Sequence, residues 1–465
     1  MNFMDLKKGD HIEMQIEDDA FQGAGIGKYQ GFVVFVPFTV AGDFVSVEVT
    51  KIKKKHCEAK LLSIIKPSSD RVDPMCKYFT VCGGCQLQFV KYQKQLEMKK
   101  KYVIDSFKKI GEFENADISD VIPCDESYYY RNKMEFSFGF DVDFNFALGM
   151  HLPNRIYDIL DLDDCKLQSE VSNTIVNYFR ELSNKNRWLP YKFSDNTGFL
   201  KNLIVRQSKT TGDILVNLLT SEKIPYNLEE KLILSAEKLS KSCGLSSIVW
   251  SKVISKRGVP KKIEEKVIFG KNYITEKMRI APGNDSISEY IFQIPASSFF
   301  QVNTLQAQVL YSKILELILD RKNDLVFDLF CGTGTIGMIL SKFVSKVVGI
   351  EINPDSIKVA KENASLNKIS NVDFICGDVF DVLKTYREKP SYVVLDPPRA
   401  GLTNKLIEKL LEYNLKEILY VSCNPATLAR DCSIFAKSGY TLKKVVPVDM
   451  FPHTYHVENI AVLIK

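Results

Sequence analysis

The chain has 465 residues, 45% hydrophobic and 26% charged, with a formal net charge of +5. That length exceeds one ordinary core and predicts two or three domains. No apolar run approaches the ~18 residues of a membrane span, and residues 1–10 lack the hydrophobic segment of a signal peptide, so a cytoplasmic, membrane-free protein is expected. Residues 51–110 carry 15 Lys or Arg against 5 Asp or Glu, an excess of +10 that leaves the rest of the chain mildly acidic. Such asymmetry points to a polyanionic partner.

In chain order, residues 7–65 read as short strands (Ile12–Ile16, Gly31–Pro37, Phe44–Ile52, Ala59–Ile64), with Gly23, Gly25, Gly27 and Gly42 at turns. Strands of this spacing predict a small barrel. The run Gly25-Ile26-Gly27, then Gly31 to Pro37, then Gly42-Asp43 resembles a TRAM domain, an OB-like RNA-binding module. The neighbouring Lys51, Lys53, Lys54 and Lys55 read either as a solvated face or as an RNA contact.

Cys76, Cys82 and Cys85 follow, the last two flanking Gly83-Gly84. Three clustered thiols in a cytosolic chain point to a metal rather than to disulfides, and the spacing suits zinc and a [4Fe–4S] cluster equally. A fourth ligand is needed; Cys57, Cys124 and Cys165 are all open on sequence alone. Leu87–Ile110 reads as a basic helix, apolar at Leu96, Val103, Phe107 and Ile110, with Lys91, Lys94, Lys99, Lys100, Lys101 and Lys108 around the rest of it. Residues 125–290 alternate strands (Met134–Phe138, Phe144–Gly149, Leu200–Arg206, Ile214–Leu219) with a helix near Ser169–Glu181, an α+β pattern that announces no function.

The strand Leu325–Leu329 runs into Asp328-Leu329-Phe330-Cys331-Gly332-Thr333-Gly334, then a helix, then the strand Lys346–Ile350 ending at Glu351. Glycines let the turn approach a ligand, and the acid accepts ribose hydroxyls. A dinucleotide site is the main competitor, but one Gly-x-Gly with an acid on the first strand looks like an S-adenosylmethionine site; Asp378 adds a carboxylate where an adenine amino group could be read. The strand Tyr392–Leu395 delivers Asp396-Pro397-Pro398-Arg399. The strand Ile418–Val421 ends before Cys423, with Asn424 as an N-cap and Pro425 at the first helical position, so a thiol lies beside a helix N-terminus, which favours the thiolate nucleophile.

Together with Phe299-Phe300-Gln301-Val302-Asn303 and His456-Val457-Glu458, these motifs resemble the RNA uracil-5-methyltransferases, and among them the 23S rRNA branch with a TRAM domain and a [4Fe–4S] cluster. The resemblance implies an α/β protein in three parts: a TRAM barrel over 1–66, an α+β domain with cluster and RNA contacts over 67–290, and a Rossmann-like class I methyltransferase domain over 291–465. It implies that Gln301, Phe330, Glu351 and Asp396 line the cofactor or uracil pocket, that Cys423 is the nucleophile and Glu458 the base, and that Cys76, Cys82, Cys85 and Cys165 hold the cluster. Phe330 stands where relatives often have Tyr, and Thr335 where some have Asn. The expected partner is a looped or single-stranded uridine of 23S rRNA, flipped from its stack, with Arg131 as a backbone contact and His453 and His456 in structural or RNA-side roles. A monomer is expected, with Cys331 and Cys432 as the next candidate nucleophiles.

Overall fold

The computed structural model describes residues 6–153, 155–192, 194–254, 262–283, 287–318 and 324–465. Residues 1–5 of the N-terminal stretch read above lie outside them. Two compact units emerge: one holds Met1–Ser127, Cys423–Ser433 and Lys444–Asn459, the other Tyr128–Ser422, Ile434–Lys443 and Ile460–Lys465.

In the first unit, β1 (His11–Asp19), β2 (Ala24–Tyr29), β3 (Phe32–Pro37), β4 (Phe44–Ile52) and β5 (His56–Lys66) close into a barrel of order β1-β2-β3-β5-β4. Ile12, Met14 and Ile16 alternate inward from β1 to meet Val34, Val36, Val45, Val47 and Val49, the period-2 burial of a strand with one face on a core. The expected barrel is present, but β2 corrects one detail. Gly25 and Gly27 sit inside this strand rather than at turns: a Cβ on Gly25 would fall 2.2 Å from Thr39 Oγ1, and one on Gly27 2.0 Å from Met14 Cε. Glycine is there because the barrel wall leaves no room for a side chain.

Helix α1 (Tyr92–Lys109) follows the barrel. Residues 117–122 then pair with residues 445–449 through bonds such as Val445 N–H to Asp117 O (2.8 Å) and Ile122 N–H to Pro447 O (2.9 Å).

The second unit begins with β6 (Lys133–Phe140), β7 (Phe146–Leu152), β8 (Arg155–Asp161), α2 (Glu170–Lys185), β9 (Leu200–Gln207), β10 (Ile214–Thr220), α3 (Leu228–Cys243), β11 (Ser247–Ile254) and β12 (Lys262–Phe269), whose strands form one mixed sheet, β12-β11-β10-β9-β6-β7-β8. The hairpin of β13 (Tyr273–Ile280) and β14 (Ser288–Pro295) precedes α4 (Thr304–Ile318). The remaining elements are β15 (Leu325–Leu329), α5 (Thr335–Leu340), β16 (Lys346–Glu351), α6 (Pro354–Leu366), β17 (Val372–Cys376), α7 (Val379–Thr385), β18 (Tyr392–Leu395), α8 (Asn404–Leu411), β19 (Glu417–Ser422), α9 (Pro425–Lys437), β20 (Thr441–Val448) and β21 (Glu458–Ile464). Their sheet runs β17-β16-β15-β18-β19-β21-β20. The pairs β16–β17, β15–β16, β15–β18 and β18–β19 are parallel, so the strand order reverses beside β15, where a doubly wound sheet opens a crevice at its carboxyl ends.

Among the described residues no helix is long and apolar enough to cross a membrane.

Candidate active site

Asp328 ends up fully buried on β15, with Oδ2 accepting the Gly337 N–H at 2.8 Å while Oδ1 has no hydrogen-bond partner. Burial pushes its pKa up to about 7, and the negative charges of Asp396 and Glu351 push the same way. Burial raises the Asp396 carboxyl too. Three acids therefore converge at the ends of β15, β16 and β18. An orphaned carboxylate oxygen in such a cluster fits a ligand that brings positive charge and hydrogen-bond donors, as S-adenosylmethionine does with its sulfonium and ammonium groups.

The turn above Asp328 is shaped for close approach. Phe330, directly after β15, has a φ of 65°, a left-handed conformation that a non-glycine residue holds only when its surroundings impose it. Gly334, at φ 74°, caps α5, and a Cβ there would lie 2.4 Å from Phe374 Cζ. Glu351 Oε2 takes the Gly332 N–H at 3.2 Å and Oε1 the Asn353 N–H at 2.9 Å, so its carboxylate is held in place at the end of β16. Asp378 follows Gly377, whose N–H donates to Glu351 O at 2.9 Å. Asp378 also caps α7, its Oδ1 accepting from Asp381 N–H at 3.2 Å, a role that the sequence reading did not separate from ligand reading.

Gln301 belongs to a segment held by the mixed sheet. Asn132 Nδ2 donates to Gln301 O and to Thr304 Oγ1, both at 2.8 Å, and Thr304 Oγ1 donates to the fully buried Glu276 at 2.9 Å. Sequence reasoning missed Asn132 and Glu276, although Asn132 adjoins Arg131, which it did name. The Arg131 side chain is turned inward, with Nη1 3.8 Å from Met134 Sδ and Nε buried without a hydrogen-bond partner.

In the unit that contains the barrel, Cys423 is half-buried and is the residue next after Ser422, the end of β19. Asn424 Oδ1 accepts the Ala426 N–H at 3.1 Å and Pro425 opens α9, as the sequence predicts. Glu458, buried at 4% exposure, opens β21, the sheet neighbour of β19. A half-open cavity of about 370 Å³ lies in the same unit, between Phe21, Lys101, Tyr102 and Asp105 on one side and Pro425 and Ala426 on the other. The barrel and α1 thus border the residues that follow the thiol. Of the reserve nucleophiles, Cys432 is fully buried, and burial holds the thiols of both Cys432 and Cys331 far above the ordinary range. His453 is buried and kept neutral, its pKa pushed down to about 3 by burial and by the Lys99 charge.

The lysines of α1 need correction. Lys99, read as one of the outward cations, is fully buried, with Nζ 2.5 Å from Asp449 Oδ1. Lys94, Lys100, Lys101, Lys108 and Lys109 face Asp19, Asp120, Asp18 with Asp105, Glu114 and Asp105 respectively. The excess charge left for a polyanion is concentrated instead on the exposed Lys51, Lys54, Lys55 and Lys60 of the β4–β5 hairpin.

The thiols of the cysteine loop remain half-buried. Gly84 N–H donates to Cys82 Sγ at 3.4 Å, and the Cys76 thiol lies close enough to raise the Cys82 pKa beyond the effect of burial. A backbone N–H on sulfur suits a ligating thiolate. Even so, no group of three or more His, Cys, Asp or Glu side chains among the described residues is arranged to hold a metal ion. Cys57 is taken up by the barrel core, and Cys124 is buried with its Sγ on Glu126 O. Cys165 stands before α2, its N–H on Asn173 Oδ1 at 3.0 Å.

A doubly wound sheet with this acid-lined turn defines a class I S-adenosylmethionine-dependent methyltransferase. The profile of the tRNA (Uracil-5-)-methyltransferase family matches residues 91–465, and that of the TRAM domain residues 5–62. The chain belongs to the tRNA (uracil-5-)-methyltransferase family, and it is an RNA uracil-5-methyltransferase that uses S-adenosylmethionine. It is 38% identical over 466 residues to an uncharacterised RNA methyltransferase of Clostridium acetobutylicum, covering 98% of each chain. A similar protein of Caldanaerobacter subterraneus is 36% identical over 467 residues, covering 99% of this chain and all of the other. The crystal structure of the Pyrococcus abyssi tRNA (uracil-54, C5)-methyltransferase with S-adenosyl-L-homocysteine superposes with a TM-score of 0.73 at 28% identity, over 97% of this chain and 100% of that one.

The raised Asp328 pKa predicts how donor binding responds to pH. A cationic donor favours the ionised carboxylate, so affinity is full only well above pH 7 and falls as the pH drops through it, by up to about tenfold per pH unit for one linked proton. Calorimetric titrations from pH 5.5 to 8 check this, and a flat profile contradicts it.

Proposed function

We propose that this enzyme forms 5-methyluridine in 23S rRNA, with Cys423 as nucleophile and Glu458 as base. The observation that carries the chemistry is the half-buried thiol directly after β19 and two residues ahead of α9. Uracil C5 is a poor nucleophile. When the Cys423 thiolate adds to C6, an S–C6 bond forms and the C5–C6 π electrons move toward C5 and O4, making an enolate. S-adenosylmethionine, when bound, would supply the electrophilic methyl group, its S–CH3 bond breaking as C5–CH3 forms so that S-adenosylhomocysteine leaves, and Gln301, Phe330, Glu351, Asp378 and Asp396, with Asp328, would hold it and the uracil. Glu458 then removes the C5 proton, C5=C6 re-forms, and the S–C6 bond breaks to return the thiolate.

The 23S rRNA reading rests on the joint presence of a TRAM barrel and a cysteine loop, which resembles the rRNA branch. A tRNA target is the second reading, favoured by the similarity to the Pyrococcus enzyme, named for uracil-54 of tRNA. Mass mapping of 5-methyluridine in 23S rRNA and tRNA, from cells with and without the gene, decides between them: loss from 23S rRNA alone supports the first, loss from tRNA alone the second. We read residues 1–66 and 67–290 as the RNA-gripping parts and 291–465 as the methyl-transfer part of a monomer acting in the cytoplasm.

We also propose a [4Fe–4S] cluster on Cys76, Cys82, Cys85 and Cys165. The supporting feature is the Gly84 N–H on Cys82 Sγ, and no step of the reaction depends on the cluster. Protein purified without oxygen should be brown, with iron and acid-labile sulfide that Cys82→Ser and Cys85→Ser remove. Stoichiometric zinc and no visible absorbance would refute the cluster.

A further inference from the structure

The stretch that leads to Glu458 is anchored from the cysteine loop. Between β20 and β21, residues 449–457 form no helix or strand. Midway, His453 is buried at a φ of 66°, a conformation its neighbours must impose. Its carbonyl oxygen accepts the N–H groups of both Gln86 and Leu87 at 2.9 Å, the two residues after Cys85. Its own N–H donates to Gln95 Oε1 at 3.0 Å. Gln95, fully buried on α1, sends Nε2 to Leu87 O at 3.0 Å and to Val90 O at 2.8 Å, with His453 Nδ1 3.2 Å away. One side-chain amide therefore spends both protons on residues 87 and 90 and its oxygen on residue 453.

Packing repeats the connection. Tyr455, three residues before Glu458, rests on the cluster of Val40, Leu87, Phe89, Val90, Met98 and Tyr102, which also takes in Phe79 from between Cys76 and Cys82. At the start of the stretch Asp449 is clamped by Lys99 at 2.5 Å and by the Tyr92 hydroxyl at 2.9 Å. This network fixes the course of the backbone into β21.

We infer that Gln95 is a positioning residue for Glu458: by binding His453 and residues 87–90 together it makes the loop after the cysteines part of the support of the base. The inference rests on the reading of Glu458 as the base. Its consequence is specific to one step. Addition of Cys423 and methyl transfer precede the work of Glu458, so disturbing the support slows proton removal and leaves methylated RNA attached to Cys423.

Gln95→Met keeps the size of the side chain and leaves Leu87 O, Val90 O and His453 N–H without it. Turnover is expected to fall about 10- to 100-fold, the scale of a catalytic group displaced by about 1 Å, while donor affinity stays within about twofold and the covalent adduct on a denaturing gel rises from transient to dominant. Gln95→Glu keeps the acceptor for His453 N–H, and its protonated form still donates to one carbonyl. It should restore part of the turnover and lower the adduct, and it carries the test alone if Gln95→Met does not fold. A merely structural role would reduce adduct formation and release together, with no accumulation, and that result overturns the inference. Glu458→Gln runs beside them: no adduct with that variant overturns the reading of Glu458 itself, whereas adduct there and none with either Gln95 variant overturns only the role of Gln95.

Discussion

Cys423→Ala is expected to bind RNA and S-adenosylmethionine normally, to form no covalent adduct, and to lose methyl transfer by about 10⁴-fold or more, since removing an attacking residue leaves only binding and orientation to act. Without S–C6 bond formation there is no enolate, and C5 has no means of taking the methyl group. Glu458→Gln should behave differently. It keeps the shape of the buried side chain at the head of β21 but has no basic oxygen, so turnover falls by about 10²- to 10⁴-fold while both earlier steps proceed. Methylated RNA then stays on Cys423 and migrates slowly on a denaturing gel with labelled RNA. Adding Cys423→Ala to Glu458→Gln should abolish the band. A band that survives without Cys423 points to another thiol, and Cys432 is poorly placed to be it, being fully buried with its thiol held far above the ordinary range. Cys331 is handicapped by burial and by the charges of Asp328 and Glu351.

What could be read in the sequence was written locally. The turn after β15 shows itself through Asp328, Gly332 and Gly334 within seven residues, and Cys423 through a strand, an N-cap and a proline in succession; each of these signals a backbone conformation by itself. Gly25 and Gly27 misled because glycine marks a turn and a crowded barrel wall with the same letter. Asp378 was ambiguous for a similar reason, since a helix cap and a ligand-reading acid are the same residue type after a strand. The mixed-sheet unit was only half read: Gly212, at a φ of 80°, flags the turn between β9 and β10, whereas Gly270 after β12 and Pro282-Gly283 between β13 and β14 carry the same punctuation and were passed over. The support of Glu458 was out of reach. Gln95 and His453 are 358 positions apart, and Lys99 and Asp449 350. No local pattern distinguishes a lysine that will be buried against a distant aspartate from its neighbours Lys100 and Lys101, which remain partly exposed.

That buried pair supports a prediction about stability. Lys99 and Asp449 are both fully buried, and Asp449 also accepts the Tyr92 hydroxyl and, at 3.2 Å, the Phe451 N–H. Burial pulls the Lys99 pKa down, with the attraction of Asp449 opposing it. Breaking such a pair strands one charge in a dry interior, so Lys99→Met and Asp449→Asn should each cost about 3–5 kcal/mol. Lys99→Met with Asp449→Asn removes both charges and should cost less than the sum of the two by well over 1 kcal/mol, because residues in contact are not additive. Amide exchange along α1 is the suitable readout, since both tryptophans, Trp188 and Trp250, belong to the other compact unit. The pH dependence makes the test sharper. In Asp449→Asn the lysine loses the anion that kept it charged, so its folded pKa drops further below the unfolded value of 10.5. Between those two pKa values the unfolded chain holds a proton that the folded one has shed, and stability must therefore rise as pH climbs from neutral toward about 10. A variant whose α1 protection is flat over that range, relative to the unsubstituted protein, would mean that water reaches Lys99 and that the pair is not the dry clamp described.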